Sequence, residues 1–197
     1  MNPYLTEAQR GILENVHIGI AGAGGLGSNC AAHLVRSGIR RFVIADFDTV
    51  CESNLNRQFY FADQLGRLKT EALRENLLRI NPELDLVLFS DRITAENAPE
   101  LFAECDMVAE CFDNGEAKAM LIEALLPSGK PLICASGLAG FGHSNSLKVR
   151  RIGRNCFMAG DLETSVSPTS PPISPRVGIV AAMEANTILA LLLGGEI

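Results

Sequence analysis

Four glycines fall within six residues, Gly22-Ala23-Gly24-Gly25-Leu26-Gly27, between an apolar run and a stretch of helical spacing. Glycines there allow a tight turn and close backbone approach, and the amides opening a helix present partial positive charge to a phosphate. Asp46, 24 residues after Gly22, ends the next apolar run, where a carboxylate can accept hydrogen bonds from ribose hydroxyls. A glycine turn that only packs a helix on a sheet would use the same residues, and the motif alone does not separate a dinucleotide from ATP. The loop after Asp46 does. It carries Ser53-Asn54-Leu55-Asn56-Arg57, and twelve residues beyond Arg57 a lysine, Lys69, stands at the start of a helical pattern. An NAD dehydrogenase has no evident use for an Asn and an Arg aimed back at the phosphates. Singly, Arg57 and Lys69 read as solvated charges. Together beside a glycine loop they offset the charge of a triphosphate, Arg57 as a fork and Lys69 as a point charge. Farther on, Glu110-Cys111-Phe112-Asp113-Asn114 closes another apolar run. A hard carboxylate at Asp113 suits magnesium beside phosphates, and it could equally cap the next helix.

These residues need strands that end together and helices that start where the strands stop. The pattern supplies them. Apolar runs at Val16–Ala21, Arg41–Ala45, Leu84–Phe89, Asp106–Cys111 and Pro131–Ser136 read as buried strands. Helical spacing covers Ser28–Ser37, stopped by Gly38, and Leu68–Ile80, closed by Asn81-Pro82. The alternation predicts an α/β fold, a Rossmann-like, doubly wound, mostly parallel sheet covered on both faces. After Ser136, Ser146–Ile152 and Asn155–Ala159 predict a small antiparallel extension near the C-terminus. Four of the nine prolines, Pro168, Pro171, Pro172 and Pro175, then crowd a Ser/Thr tract that reads as an exposed loop. A closing helix is expected from Arg176 to Leu193, and Asn2 to Asn15 reads as a mostly polar lead.

At 197 residues, 47% apolar and 20% charged, the chain has the composition of one soluble domain spanning 1–197. A net charge of −6 argues against a nucleic-acid-coating surface. No signal peptide is visible, and the Val177–Leu193 run, interrupted by Glu184 and Asn186, reads as a buried helix rather than a membrane span. The expected compartment is the cytoplasm. The six cysteines form no Cys-x-x-Cys pair, so no zinc is expected, and reduced thiols packed as small hydrophobes are.

The ordered set G-A-G-G-L-G, D-F-D-x-V, S-N-L-x-R-Q, a downstream Lys and D-N resembles the ThiF/MoeB/HesA family of ubiquitin-activating-like adenylyltransferases, most of all the short ThiF-type proteins. The resemblance implies ATP-dependent adenylation of the C-terminal glycine carboxylate of a small ubiquitin-like sulfur carrier, ThiS-like and linked to thiamine thiazole synthesis. It implies that Gly22, Gly24, Gly25 and Gly27 of the glycine loop, Asp46, Ser53, Asn54, Arg57, Lys69, Asp113 and Asn114 bind nucleotide. Arg57, Lys69 and Asp113 would be catalytic, with Asp113 holding Mg2+, and the protein would be a homodimer with neither nucleic acid nor membrane as partner. The tract from about 160 to 175 stands where the family's crossover loop lies. Two departures are clear. The paired zinc cysteines of many relatives are missing, and the tract has no cysteine, Cys156 before it reading as a packed strand residue. A nicotinamide-dependent oxidoreductase using the same glycine turn is the alternative, although no substrate domain follows Ser136.

Overall fold

The computed structural model describes residues 4–197. Seven strands form one sheet in the order β3-β2-β1-β4-β5-β7-β6. They are β1 (His17–Ala21), β2 (Arg41–Ala45), β3 (Asp85–Phe89), β4 (Met107–Glu110), β5 (Leu132–Ala135), β6 (Lys148–Arg151) and β7 (Cys156–Gly160). All pairings are parallel except β6 with β7. The doubly wound sheet and its antiparallel extension are therefore as expected. On one face lie α1 (Glu7–Asn15), α2 (Gly25–Ser37), α3 (Lys69–Leu78) and α6 (Ser174–Leu193). On the other lie α4 (Ala98–Leu101) and α5 (Gly115–Leu125).

Parallel strands covered on both faces must be apolar on both, which is why β1, β2, β4 and β5 read as continuous hydrophobic runs. Ile18, Ile20, Phe42 and Ile44 are fully buried, and α2 lays Cys30, Ala31 and Leu34 on them. Gly38, at φ 114°, ends α2 by donating its N–H back to Leu34 O and Val35 O, the stop its position predicts. By composition and length α6 could cross a membrane. Here Val177, Val180, Ala181, Ala185 and Ile188 are buried in the core beside α2.

One expectation is extended and one is corrected. The lead, whose Asn2 and Pro3 lie outside the described residues, contains α1. Its capping box is Thr6 and Gln9: Gln9 N donates to Thr6 Oγ1 (3.2 Å) and Thr6 N to Gln9 Oε1 (3.0 Å). Only Leu13 of this helix is buried, and its sequence signal is the Thr6–Gln9 capping box rather than a broad apolar face. The first long helix also starts at Gly25 rather than Ser28, so Gly25 and Gly27 lie inside its first turn.

Candidate functional site

The strand order reverses between β1 and β4, and in such sheets the crevice at the carboxyl ends of those strands is where ligands bind. The glycine loop leaves β1 there, and Asp113 leaves β4. Gly22 N donates to Ala45 O (2.8 Å) and Cys111 N to Ala21 O (2.8 Å), which ties the exits of β1, β2 and β4 together. Gly22 has φ 97°, and a Cβ on it would meet Cys111 O at 3.0 Å. On Gly27 a Cβ would stand 1.8 Å from Gly22 O, so only glycine lets α2 approach the turn. Gly24, at the N-cap of α2, has open space, its nearest neighbour being Gln58 Nε2 at 3.8 Å.

Asp46 bridges the loop and its own turn. One carboxylate oxygen accepts from Ala23 N (2.7 Å) and the other from Asp48 N (2.8 Å). Each oxygen keeps a lone pair for a ribose hydroxyl. Burial pushes this carboxyl above its ordinary range, against the pull of Lys69 and the two amide donors. Beside it the half-exposed Phe47 ring carries the Arg92 guanidinium 4.1 Å from its centroid, forming a flat face next to the Asp46 carboxylate.

The loop after Asp46 doubles back. Val50 N donates to Arg67 O and Lys69 N to Asp48 O, so the chain pairs with itself and returns Lys69 to the crevice at the start of α3. Lys69 is only 6% exposed, and its Nζ donates to Asp48 Oδ2 at 2.7 Å. Two further N–H groups of the ammonium remain for phosphate oxygens. Arg57 donates from one guanidinium nitrogen to Ser53 O and Asn56 Oδ1, both at 2.9 Å, and its stem lies over Gly25.

Two of the expected nucleotide contacts, Asn54 and Asn114, also have structural roles in the fold. Asn54 is buried, its Oδ1 accepting from Cys51 N (3.1 Å), and it shapes the turn that presents Arg57. The exposed Ser53 places its Oγ 3.1 Å from Cys51 Sγ. Asn114, not Asp113, caps α5 by accepting from Glu116 N (2.8 Å) and Ala117 N (3.2 Å). Asp113 is left exposed at the mouth of the crevice. Among the described residues no three His, Cys, Asp or Glu side chains converge on one point, so a magnesium ion at Asp113 would take its other ligands from phosphate and water. That donor set fits magnesium, which keeps several waters and binds through one or two carboxylates.

Several positioning residues escape the sequence reading. Ser28 donates to Gly24 O (2.6 Å) and accepts from Phe59 N (3.0 Å). Asn29 donates to Gly25 O (2.7 Å) and Arg57 O (2.9 Å), pinning the Arg57 loop to the glycine loop. Tyr60 donates its hydroxyl to Ala23 O (2.7 Å), with Lys69 O 3.3 Å away. Glu110, buried at the end of β4, pairs with Lys118 (2.9 Å) and accepts from Phe112 N, which stiffens the approach to Asp113. Burial pushes the Glu110 carboxyl up, while Lys118 pulls it down. The polar pair Ser28-Asn29 directly after the last loop glycine is the one local signal for these; Lys118 and Tyr60 carry none. A groove of about 580 Å³, bordered by Leu13, Arg36 and Pro82, lies at the opposite end of the sheet. Its Arg40 is already paired with Glu14 (2.9 Å) and Glu83 (3.3 Å), and the glycine lining it, Gly38, stops α2 rather than opening a helix.

The ThiF family profile matches residues 2–196. The adenylyltransferase and sulfurtransferase UBA4 of Kluyveromyces lactis is 32% identical over 188 residues, covering 92% of this chain and 42% of that protein. UBA4 of Saccharomyces cerevisiae is 29% identical over 197 residues, covering 92% and 43%. The chain thus spans about two-fifths of the length of these curated relatives. Among solved structures, E. coli tRNA N6-threonylcarbamoyladenosine dehydratase TcdA in complex with ATP shares the fold, with a TM-score of 0.87 at 22% identity over 95% of this chain and 90% of that one. E. coli MccB with AMPCPP and MccA gives 0.73 at 20% identity, over 93% and 57%.

Proposed function

This chain belongs to the ThiF family, and from that premise we propose that it is an ATP-dependent adenylyltransferase acting on the C-terminal glycine carboxylate of a small ubiquitin-like protein. The observation that carries the reading is the convergence of the glycine turn, Asp46, Lys69 and Asp113 on the crevice between β1 and β4. The N-terminal amides of α2 receive phosphate oxygens, Asp46 takes the ribose, and the Phe47–Arg92 face offers the base a surface to stack on. Arg57 and Lys69 spread positive charge over the phosphates. The acceptor carboxylate attacks the α-phosphorus, a bond to its oxygen forms, and the bond to the β-phosphate oxygen breaks to release pyrophosphate. No protein nucleophile takes part; position and electrostatics lower the barrier. Magnesium delivered with ATP would neutralise developing charge on the leaving pyrophosphate, with Asp113 as its protein ligand.

The acceptor we favour is a ThiS-like sulfur carrier of thiamine thiazole synthesis, with the protein working in the cytoplasm as a homodimer. The support is its G-A-G-G-L-G-S-N opening. Incubation with candidate carriers ending in Gly-Gly, ATP and magnesium, followed by intact-mass measurement, should reveal an acyl-adenylate. Submicromolar NAD binding with no ATP binding in calorimetry would overturn the proposal, and a 21.1 kDa species alone in light scattering would overturn the dimer.

A further inference from the structure

The segment between β7 and α6 leaves the fold and re-enters it through one buried ion pair. Asp161 directly follows β7, and Arg176 lies in the first turn of α6; both are buried. One guanidinium nitrogen of Arg176 donates to Asp161 Oδ2, and the other donates to Gly142 O at 2.7 Å. Asp161 Oδ1 accepts from Glu163 N (2.8 Å), Thr164 N (2.9 Å) and Thr164 Oγ1 (3.1 Å). The exit, the re-entry and the loop that follows β5 therefore meet at a single pair. Nothing larger fits around it. A Cβ on Gly137 would lie 2.0 Å from Asp161 Oδ1, and one on Gly160 1.8 Å from Ser136 O. Leu162, the next residue outward, is held at φ 67°, a conformation that side-chain-bearing residues avoid unless their surroundings impose it.

Beyond this root the strap is exposed, Val166 to 61%. Gly140 N donates to Pro171 O (2.9 Å), and Ser167 and Ser170 close a small turn at the crown. On the inner side Val177, adjoining Arg176, presses on the phosphate loop: a Cβ on Gly25 would lie 2.9 Å from Val177 Cγ1. The first turn of α6 thus grips the strap outside and touches the nucleotide loop inside. Buried ion pairs contribute little net stability, because desolvation offsets their attraction, but breaking one leaves an uncompensated charge and so disfavours other arrangements. We infer that Asp161 and Arg176 form a positioning latch, which fixes both ends of the 162–175 strap beside the phosphate loop so that an extended acceptor tail is held beneath it. This rests on the acceptor-adenylation reading above.

Arg176→Lys keeps the charge but cannot span Asp161 and Gly142 together. Asp161→Asn keeps an oxygen for Glu163 and Thr164 but loses the charge. The double variant Asp161→Asn/Arg176→Gln leaves no lone buried charge and serves if the single variants fold poorly. In the full chain, with a ubiquitin-fold carrier ending in Gly-Gly as acceptor, each variant should raise KM for the carrier at least tenfold. The Kd for ATP should stay within twofold. Amide exchange across 163–172 should accelerate at least tenfold while that of β1 and β4 does not change. Loss of ATP affinity in step with carrier KM would place the pair in the nucleotide site and overturn the latch. Unchanged exchange in the strap would overturn it as well. If the wild-type chain adenylates no carrier, the functional reading fails, and the latch is judged on exchange and ATP affinity, which need no acceptor.

Discussion

Alanine at Gly27 is the sharpest test of why the glycine loop has the composition it has. Its Cβ would stand 1.8 Å from Gly22 O and 3.0 Å from Ile20 Cγ2. Relief to an ordinary contact requires the loop or the helix to move by more than about 1 Å, and the obstacle is a backbone carbonyl that no rotamer change can clear. The nearest escape is to lift α2 from β1, which opens packing around the fully buried Ile20 and Ala31. Overpacking of this kind costs about 1–3 kcal/mol, occasionally more, and a main-chain clash puts Gly27→Ala at or above about 3 kcal/mol. For a chain of this size that lowers the melting temperature by about 6–12 °C. The same movement tilts the α2 amides away from the phosphates, so ATP affinity should fall at least tenfold. Gly24→Ala is the control: with only Gln58 Nε2 within 4 Å, it should melt within about 3 °C of wild type yet weaken ATP binding, because its Cβ stands at the helix opening. Thermal denaturation and calorimetry on both proteins decide the matter. A Gly27→Ala protein that melts like wild type and binds ATP normally would refute the close-approach argument.

Asp113→Asn should reduce carrier-dependent pyrophosphate release by about two orders of magnitude, a few kcal/mol of barrier, with little change in melting temperature. Asn114→Ala should do the reverse, costing about 1 kcal/mol of stability through loss of the α5 cap while sparing turnover per folded molecule; equal effects of the two would collapse the distinction. Asn29→Ala removes the bonds to Gly25 O and Arg57 O and should raise KM for ATP several-fold, so an unchanged KM would show that the Arg57 loop holds itself. Glu184 is fully buried with neither oxygen hydrogen-bonded; burial pushes its carboxyl up, Lys118 pulls it down and Glu110 pushes it up. The folded state then binds this proton more tightly than the unfolded chain. Stability therefore falls as pH rises from the ordinary carboxylate range through the folded value, by about 1.4 kcal/mol for each pH step of one across that window. Glu184→Gln lacks that loss, so its melting temperature relative to wild type should be higher at pH 8 than at pH 5; a difference independent of pH would contradict the assignment.

Local chemistry along the chain dictates the sheet and the nature of the site. Strands buried on both faces must be apolar throughout, and a tight turn from strand into closely packed helix must be glycine-rich, so Val16–Ala21, Arg41–Ala45 and Gly22–Gly27 announce themselves without any knowledge of their neighbours in space. Helix stops such as Gly38 are local in the same sense. What one residue does for another far away in the chain is not legible there. The assembled fold was needed to show that Asn54 and Asn114 serve turns and caps while Asp113 is left open to the crevice. It alone pairs Lys69 with Asp48, hangs the Arg57 loop on Asn29 and joins Asp161 to Arg176 across the strap. A polar side chain has the same local signature whether it meets solvent, an amide or a ligand. Its partner is chosen by how the strands and helices converge, and convergence is a property of packing that no window of neighbouring residues contains.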